Sequence, residues 1–189
     1  KLPSDKFTRF GITPKKNVKL KEWFIIPAKL TDDWVYYSNK DLDDLYFPNS
    51  NINLTITTPS THNIISDLDV VSTTKTDSTL TSNFIGRNRF NSETHFTINN
   101  NFDELGTEKF TYVTNIPDEG ISLVIKAVIH DKIAFFLNDN LGPYPHEKIL
   151  LSNAAYKRNP VYGLNQLPNF IRPFPDGFQY EIKILKATI

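Results

Sequence analysis

Alternation of apolar and polar side chains is the main pattern in this chain. In residues 51–57, Ile52, Leu54 and Ile56 share one face, and Asn53, Thr55 and Thr57 share the other. A period of two is the signature of a half-buried strand. In residues 121–129 the odd positions are Ile121, Leu123, Ile125, Ala127 and Ile129, with Ser122, Lys126 and His130 on the opposite phase. His130-Asp131 then makes a short connection into residues 132–137, so the pattern predicts a β-hairpin. Residues 108–114 place Phe110 and Tyr112 on one face, and residues 94–98 place Phe96 and Ile98. Residues 178–184 align Phe178, Tyr180, Ile182 and Ile184. The phase then changes to Leu185, Ala187 and Ile189, as at a bulge. Two shorter aromatic and β-branched runs, 23–26 and 34–37, also favour strand.

Helix signals are few. Residues 146–158 follow Pro145, carry Glu147 early and Lys157 and Arg158 late, and stop at Asn159-Pro160. Residues 40–46 are a weaker candidate. The predicted class is therefore all-β: an antiparallel β-sandwich or jelly-roll-like fold of about eight to ten short strands with at most two short helices.

Two stretches stand apart. Residues 49–101 hold 28 Asn, Ser or Thr in 53 positions. They read as strands with polar outer faces and long loops between them. Residues 143–175 hold six of the twelve prolines, interleaved with Tyr144, Tyr156, Tyr162, Phe170 and Phe174. Proline withholds a ladder donor, so part of this segment is expected to run extended. The simpler reading is that it wraps the sheet and seals the core with its aromatics. The expected organisation is a basic arm or first strand over residues 1–29, followed by one β domain over 30–189.

Composition narrows the chemistry. The 189 residues carry 21 Lys+Arg and 21 Asp+Glu, so the chain as a whole is not suited to coating nucleic acid. That neutrality is uneven. Residues 1–29 hold eight basic and two acidic side chains, a net of +6, and residues 30–69 hold one basic and seven acidic, a net of −6. Either the arm meets an acidic partner, nucleic acid included, or the two blocks are satisfied within the domain. Cysteine is absent, which removes disulfides, thiolate metal sites and Cys nucleophiles. No run approaches the length of a membrane-spanning helix. Methionine is absent too, and the chain starts Lys1-Leu2-Pro3, so a processed product is expected.

Catalytic motifs are missing. The chain has no Gly-rich phosphate loop, no G-x-S-x-G and no H-E-x-x-H. Glu93-x-His95 would put two metal ligands on one strand face but needs a third. Asn39-x-Asp41-x-Asp43 imitates a calcium loop, yet Asp44 stands where Gly belongs and Ser50 where Glu belongs. Asp176 with Glu181-Ile182-Lys183 imitates a nuclease metal pattern. The Pro175-Asp176-Gly177 turn, followed by an ordinary surface Glu/Lys pair on a last strand, explains it better. Asn53-Leu54-Thr55 is a glycosylation sequon, with Asn53 on the polar face of its strand.

No cofactor, metal or catalytic residue is expected. The leading expectation is a non-catalytic structural or self-assembling β domain of a secreted, surface or virion protein, associating with copies of itself or with other subunits. A second is a lectin-like or protein-binding module, with Tyr144, Tyr162, Phe170 and Phe174 as binding aromatics and glycan as a candidate ligand. A third is a hydrolase using paired carboxylates, which can come from any two strands.

Overall fold

The computed structural model describes residues 10–13, 16–21, 23–25, 28–34, 48–117, 120–153, 180, 181 and 183–185. These are mostly β, with ten strands in three sheets, and the fold class is the expected all-β, sandwich-like one. Contacts group the chain into two compact units, Lys1–Asn100 and Asn101–Ile189. The boundary between the units falls within residues 30–189.

The first unit holds two sheets. One has the order β1 (Phe10–Ile12), β2 (Val18–Lys21), β7 (Glu93–Thr97), β4 (Asn63–Ser66), antiparallel throughout. Within residues 1–29, the strands are thus Phe10–Ile12 and Val18–Lys21. The other has the order β3 (Ser50–Pro59), β6 (Thr79–Arg89), β5 (Asp69–Lys75), also antiparallel. As the alternation predicts, Ile52, Leu54 and Ile56 are half-buried and Asn53, Thr55 and Thr57 are exposed. The polar stretch is therefore strand with a polar outer face. There Thr55 donates to Asn83 Oδ1 at 2.6 Å, Asn83 donates to Ser72 Oγ at 2.9 Å, and Thr57 bonds Thr81 at 2.9 Å. Cross-strand pairs of this kind add a few tenths of a kcal/mol each and fix register. Leu68, Phe84 and Phe96 are buried in this unit.

The second unit combines a short sheet with a long helix. Its sheet order is β10 (Lys148–Leu151), β9 (Thr111–Thr114), β8 (Asp103–Gly106). β8 and β9 form an antiparallel hairpin, and β10 lies parallel to β9. A parallel partner needs a crossover, which α1 (Leu123–Leu141) supplies. The predicted hairpin at 121–137 is therefore a helix. Three signals set it. Ser122 caps the N-terminus by accepting from Ile125 N, Gly142 ends it at φ 107°, and no Gly or Pro interrupts its 19 residues. The alternation was incomplete, because Val124 and Val128 fill the other phase, so a period of two was never isolated from a helix that is apolar nearly all round. The buried face is Lys126, Ile129, His130 and Ile133, at helical spacing.

Two further expectations change. Residues 148–151, placed in a helix by the Pro145 and Asn159-Pro160 boundaries, pair as β10 because their apolar run completes the sheet. Tyr180, Glu181 and residues 183–185 are helical rather than strand. Tyr180 and Ile184, one helical turn apart, are buried in a core with Ile116, Ile129, Ile133 and Leu151. The candidate helix at 40–46 and the calcium-like run at 39–44 lie outside the described residues.

Candidate functional site

The alternation along β6 buries Ser82, Phe84 and Gly86, and would next turn Asn88 inward. Instead the register shifts. Ile52 pairs with Gly86 while Ser50 pairs with Arg89, so β6 carries one extra residue opposite β3. Asn88 absorbs the bulge with φ 52°, and its N–H donates to Asn51 Oδ1 at 3.2 Å. Asn is among the residues that tolerate this conformation. The consequence is that Arg89, a charged side chain next to a strand end, is 4% exposed.

Space for that side chain exists because residue 86 is glycine. A Cβ there would lie 2.5 Å from Leu68 Cδ2 and 2.8 Å from Arg89 Cγ. Arg89 Nη2 donates to the Asp67 carbonyl at 3.1 Å, and Arg89 Nε is buried with no hydrogen-bond partner. The Asp67 carboxylate is engaged elsewhere: its Oδ1 accepts from Glu93 N at 3.0 Å and Ser92 Oγ at 3.1 Å. Burial pushes the Asp67 carboxyl above its ordinary range, against those hydrogen bonds and the Arg89 charge.

Arg89 lines a cleft of about 350 Å³. Its walls include Trp23, Phe24 and Phe90, whose rings supply apolar area, and residues 50–54 of β3. Trp23 and Phe24 pack edge to face at 6.3 Å. Among the described lining residues, Arg89 is the charged one. Apolar walls with a few convergent polar groups are the usual makeup of a binding site.

Next to this cleft in the sequence, β7 carries Glu93 and His95. They bond each other, His95 Nε2 to Glu93 Oε1 at 2.6 Å, with Lys19 Nζ at 3.7 Å from the same oxygen. Burial alone would raise the Glu93 carboxyl, but the His95 bond and the charges of Lys19, His95 and Lys21 outweigh it and hold Glu93 down at about 2. The pair therefore satisfies itself. Among the described residues no three His, Asp or Glu side chains are grouped for a metal.

A second polar cluster is closed inside the other unit. His130 shares a hydrogen bond with Tyr180 OH at 3.0 Å, and its ring lies 4.6 Å from that of Tyr112, which donates to Asp131 at 2.8 Å. Burial, aided by Lys126 and opposed by Asp131, pushes His130 down to about 4. The Tyr112 hydroxyl is pushed up by burial and by its bond to Asp131. A neutral His beside a phenol that resists ionisation is a packing network rather than an acid–base pair.

The sequence-predicted site residues scatter. Tyr144 is exposed and packs against Phe110 and His146. Tyr162, Phe170 and Phe174 lie outside the described residues, as does Asp176. Glu181 is helical and accepts from Lys132 at 2.7 Å, so it is not on the strand that the nuclease pattern requires. Asn53 is exposed on β3 and lines the cleft. Trp23, Phe24, Arg89 and Phe90 carried no site signal in the sequence, since only the bulge and the fold bring them together.

No protein-family model matches the sequence, and no curated protein matches it. Among solved structures, the chain overlaps with an M1 zinc metallopeptidase from Deinococcus radiodurans at 15% identity and a TM-score of 0.39, over 58% of this chain and 27% of that one. A mutant of that enzyme overlaps at 14% identity and a TM-score of 0.45, over 80% of this chain and 35% of that one. The chain thus spans well under half the length of these structures. Overlap at this level does not define a shared fold or activity.

Proposed function

We propose that the chain is a non-catalytic β-rich interaction module that binds another molecule in the cleft beside β3. The observation that carries this reading is the pairing of Trp23, Phe24 and Phe90 walls with one buried, incompletely bonded arginine. Aromatic side chains around a desolvated arginine are the usual composition of binding hot spots. The test is selection of ligands from displayed peptides, run beside a glycan array. Ligands recovered from either should lose at least about tenfold in affinity on Trp23→Ala or Phe90→Ala, with circular dichroism unchanged. Ligands indifferent to both substitutions would remove the cleft from the binding role.

A second reading, self-association, is favoured by α1. Its outer side exposes Val124 at 74% and Phe136 at 60%, together with Val128 and Leu141. A helix that is apolar nearly all round is ordinarily covered. Light scattering should then show a concentration-dependent oligomer that Val128→Asp and Phe136→Asp dissociate. A monomer at every concentration would count against it.

A further inference from the structure

We infer that α1 pairs with α1 of a second copy of this chain, antiparallel, about a two-fold axis level with His130. This rests on the self-association reading above and narrows it to one partner and one register. Three observations support it.

The first is the spacing on the open side of the helix. Ile125, Val128, Lys132, Phe135 and Asp139 follow one another at steps of three, four, three and four, and all five are exposed. At about 100° per residue they form a stripe roughly 80° wide. It lies away from the buried Lys126, Ile129, His130 and Ile133. Val124 and Phe136 flank it and are exposed as well. A 3-4 stripe is the seam along which two helices interlock.

The second is the match between this seam and its own reverse. With the axis level with His130, Ile125 of one copy lies over Phe135 of the other, and Val128 over the aliphatic stem of Lys132. Symmetry repeats both contacts. Each sets a shorter side chain against a longer one, as interdigitating layers require. A parallel pair would instead stack Phe135 on Phe135 and Lys132 on Lys132. The Lys132 charge does not oppose the antiparallel pair, because Glu181 Oε1 holds it at 2.7 Å.

The third is area and charge. Val124, Ile125, Val128, Phe135 and Phe136 are between 46% and 74% exposed. At roughly 100 Å² of open surface each, they offer about 500 Å² per copy. Two copies bring about 1,000 Å² of apolar surface together, the threshold of a specific interface, before Lys132, Asp139 and their neighbours are added. A lipid surface suits this face less well. Its charged members are one Lys, already paired, and one Asp, whereas helices lying on membranes carry a basic polar face.

The chain has no cysteine, so introduced thiols report only on each other. The experiment mixes full chains carrying Ile125→Cys with full chains carrying Phe135→Cys, under a glutathione redox buffer, at a concentration where light scattering finds the parent as a dimer. The mixture should give a disulfide-linked dimer. Either variant alone should give at least about tenfold less, because its thiol then lies about 15 Å along the axis from its own copy. Val128→Cys mixed with Lys132→Cys, one layer nearer the axis, tests the same register if the first pair weakens association. Disulfides formed equally well by Ile125→Cys alone or Phe135→Cys alone would mark a parallel pair and overturn the inference. So would silence from both mixtures. In either case, a parent dimer that Phe136→Asp dissociates would leave self-association through α1 standing. A parent that is monomeric at every concentration would remove both.

Discussion

At Gly86 the identity of one residue decides whether a charge can be buried. With no Cβ at that position, the Arg89 chain and Leu68 both close over the backbone. Gly86→Ala should destabilise the protein by about 1–3 kcal/mol in denaturant unfolding, the usual cost of overpacking. It should also weaken any cleft ligand, because Arg89 Cγ is among the atoms that must move. An Ala variant as stable as the parent would show that this close approach is not required. None of this was legible in the sequence. Gly86 sits mid-strand without turn chemistry around it, and Arg89 falls on the outward phase if the alternation is counted straight through. The register shift between Ser50 and Ile52 reverses that phase, and a bulge leaves no compositional mark beyond an Asn. Glu93-x-His95 was legible as a pair, and the pair exists. The sequence could not show that the two bond each other beside Lys19.

Among the elements, strands with one wet face were easy to read and the helix with two apolar faces was not. β3 matches its alternation residue by residue, because water on one side and packing on the other impose the period. For α1 the outer side is as apolar as the inner, so neither period stands out, and its caps and length carried the information instead. Substitutions six residues apart separate the two conformations. In a strand Leu123 and Ile129 share a face, whereas in α1 they point to different sides, Ile129 buried and Leu123 exposed. Ile129→Ala should therefore cost about 2–5 kcal/mol and Leu123→Ala less than about 1 kcal/mol, read from chemical denaturation. Comparable losses at both positions would favour the hairpin. β10 was missed for a related reason: Pro145 and Asn159-Pro160 bound a segment without fixing what lies between them, and the demand of β9 for a partner decided it.

For the whole molecule, each unit carries its own acid-sensitive group, and the two respond in different pH windows. His130 is pushed from an ordinary 6.5 to about 4, so its contribution is complete above 6.5 and lost as pH falls towards 4. Glu93 is held at about 2 against an ordinary 4.5, so its contribution is complete above 4.5 and lost only towards 2. Asp67, with a raised carboxyl, works the other way and favours the folded first unit as acid is added. On acidification the second unit should lose hydrogen-exchange protection first, between about pH 6.5 and 4, with the first unit following below about 4.5. His130→Phe should flatten the first step. Simultaneous loss in both units, or the reverse order, would contradict this assignment. The polar sheet of the first unit has one more consequence. Among the described residues nothing pairs with the outer side of β3 or of β5, and the two strands are unlike each other. Joining β3 of one copy to β5 of the next is a head-to-tail contact, which grows linearly wherever the rotation between copies does not close a ring. Pro59 near one end of β3, and Asp69 and Lys75 at the ends of β5, oppose that growth. Removing those three side chains together takes away the features that oppose strand addition along this hydroxyl-lined sheet.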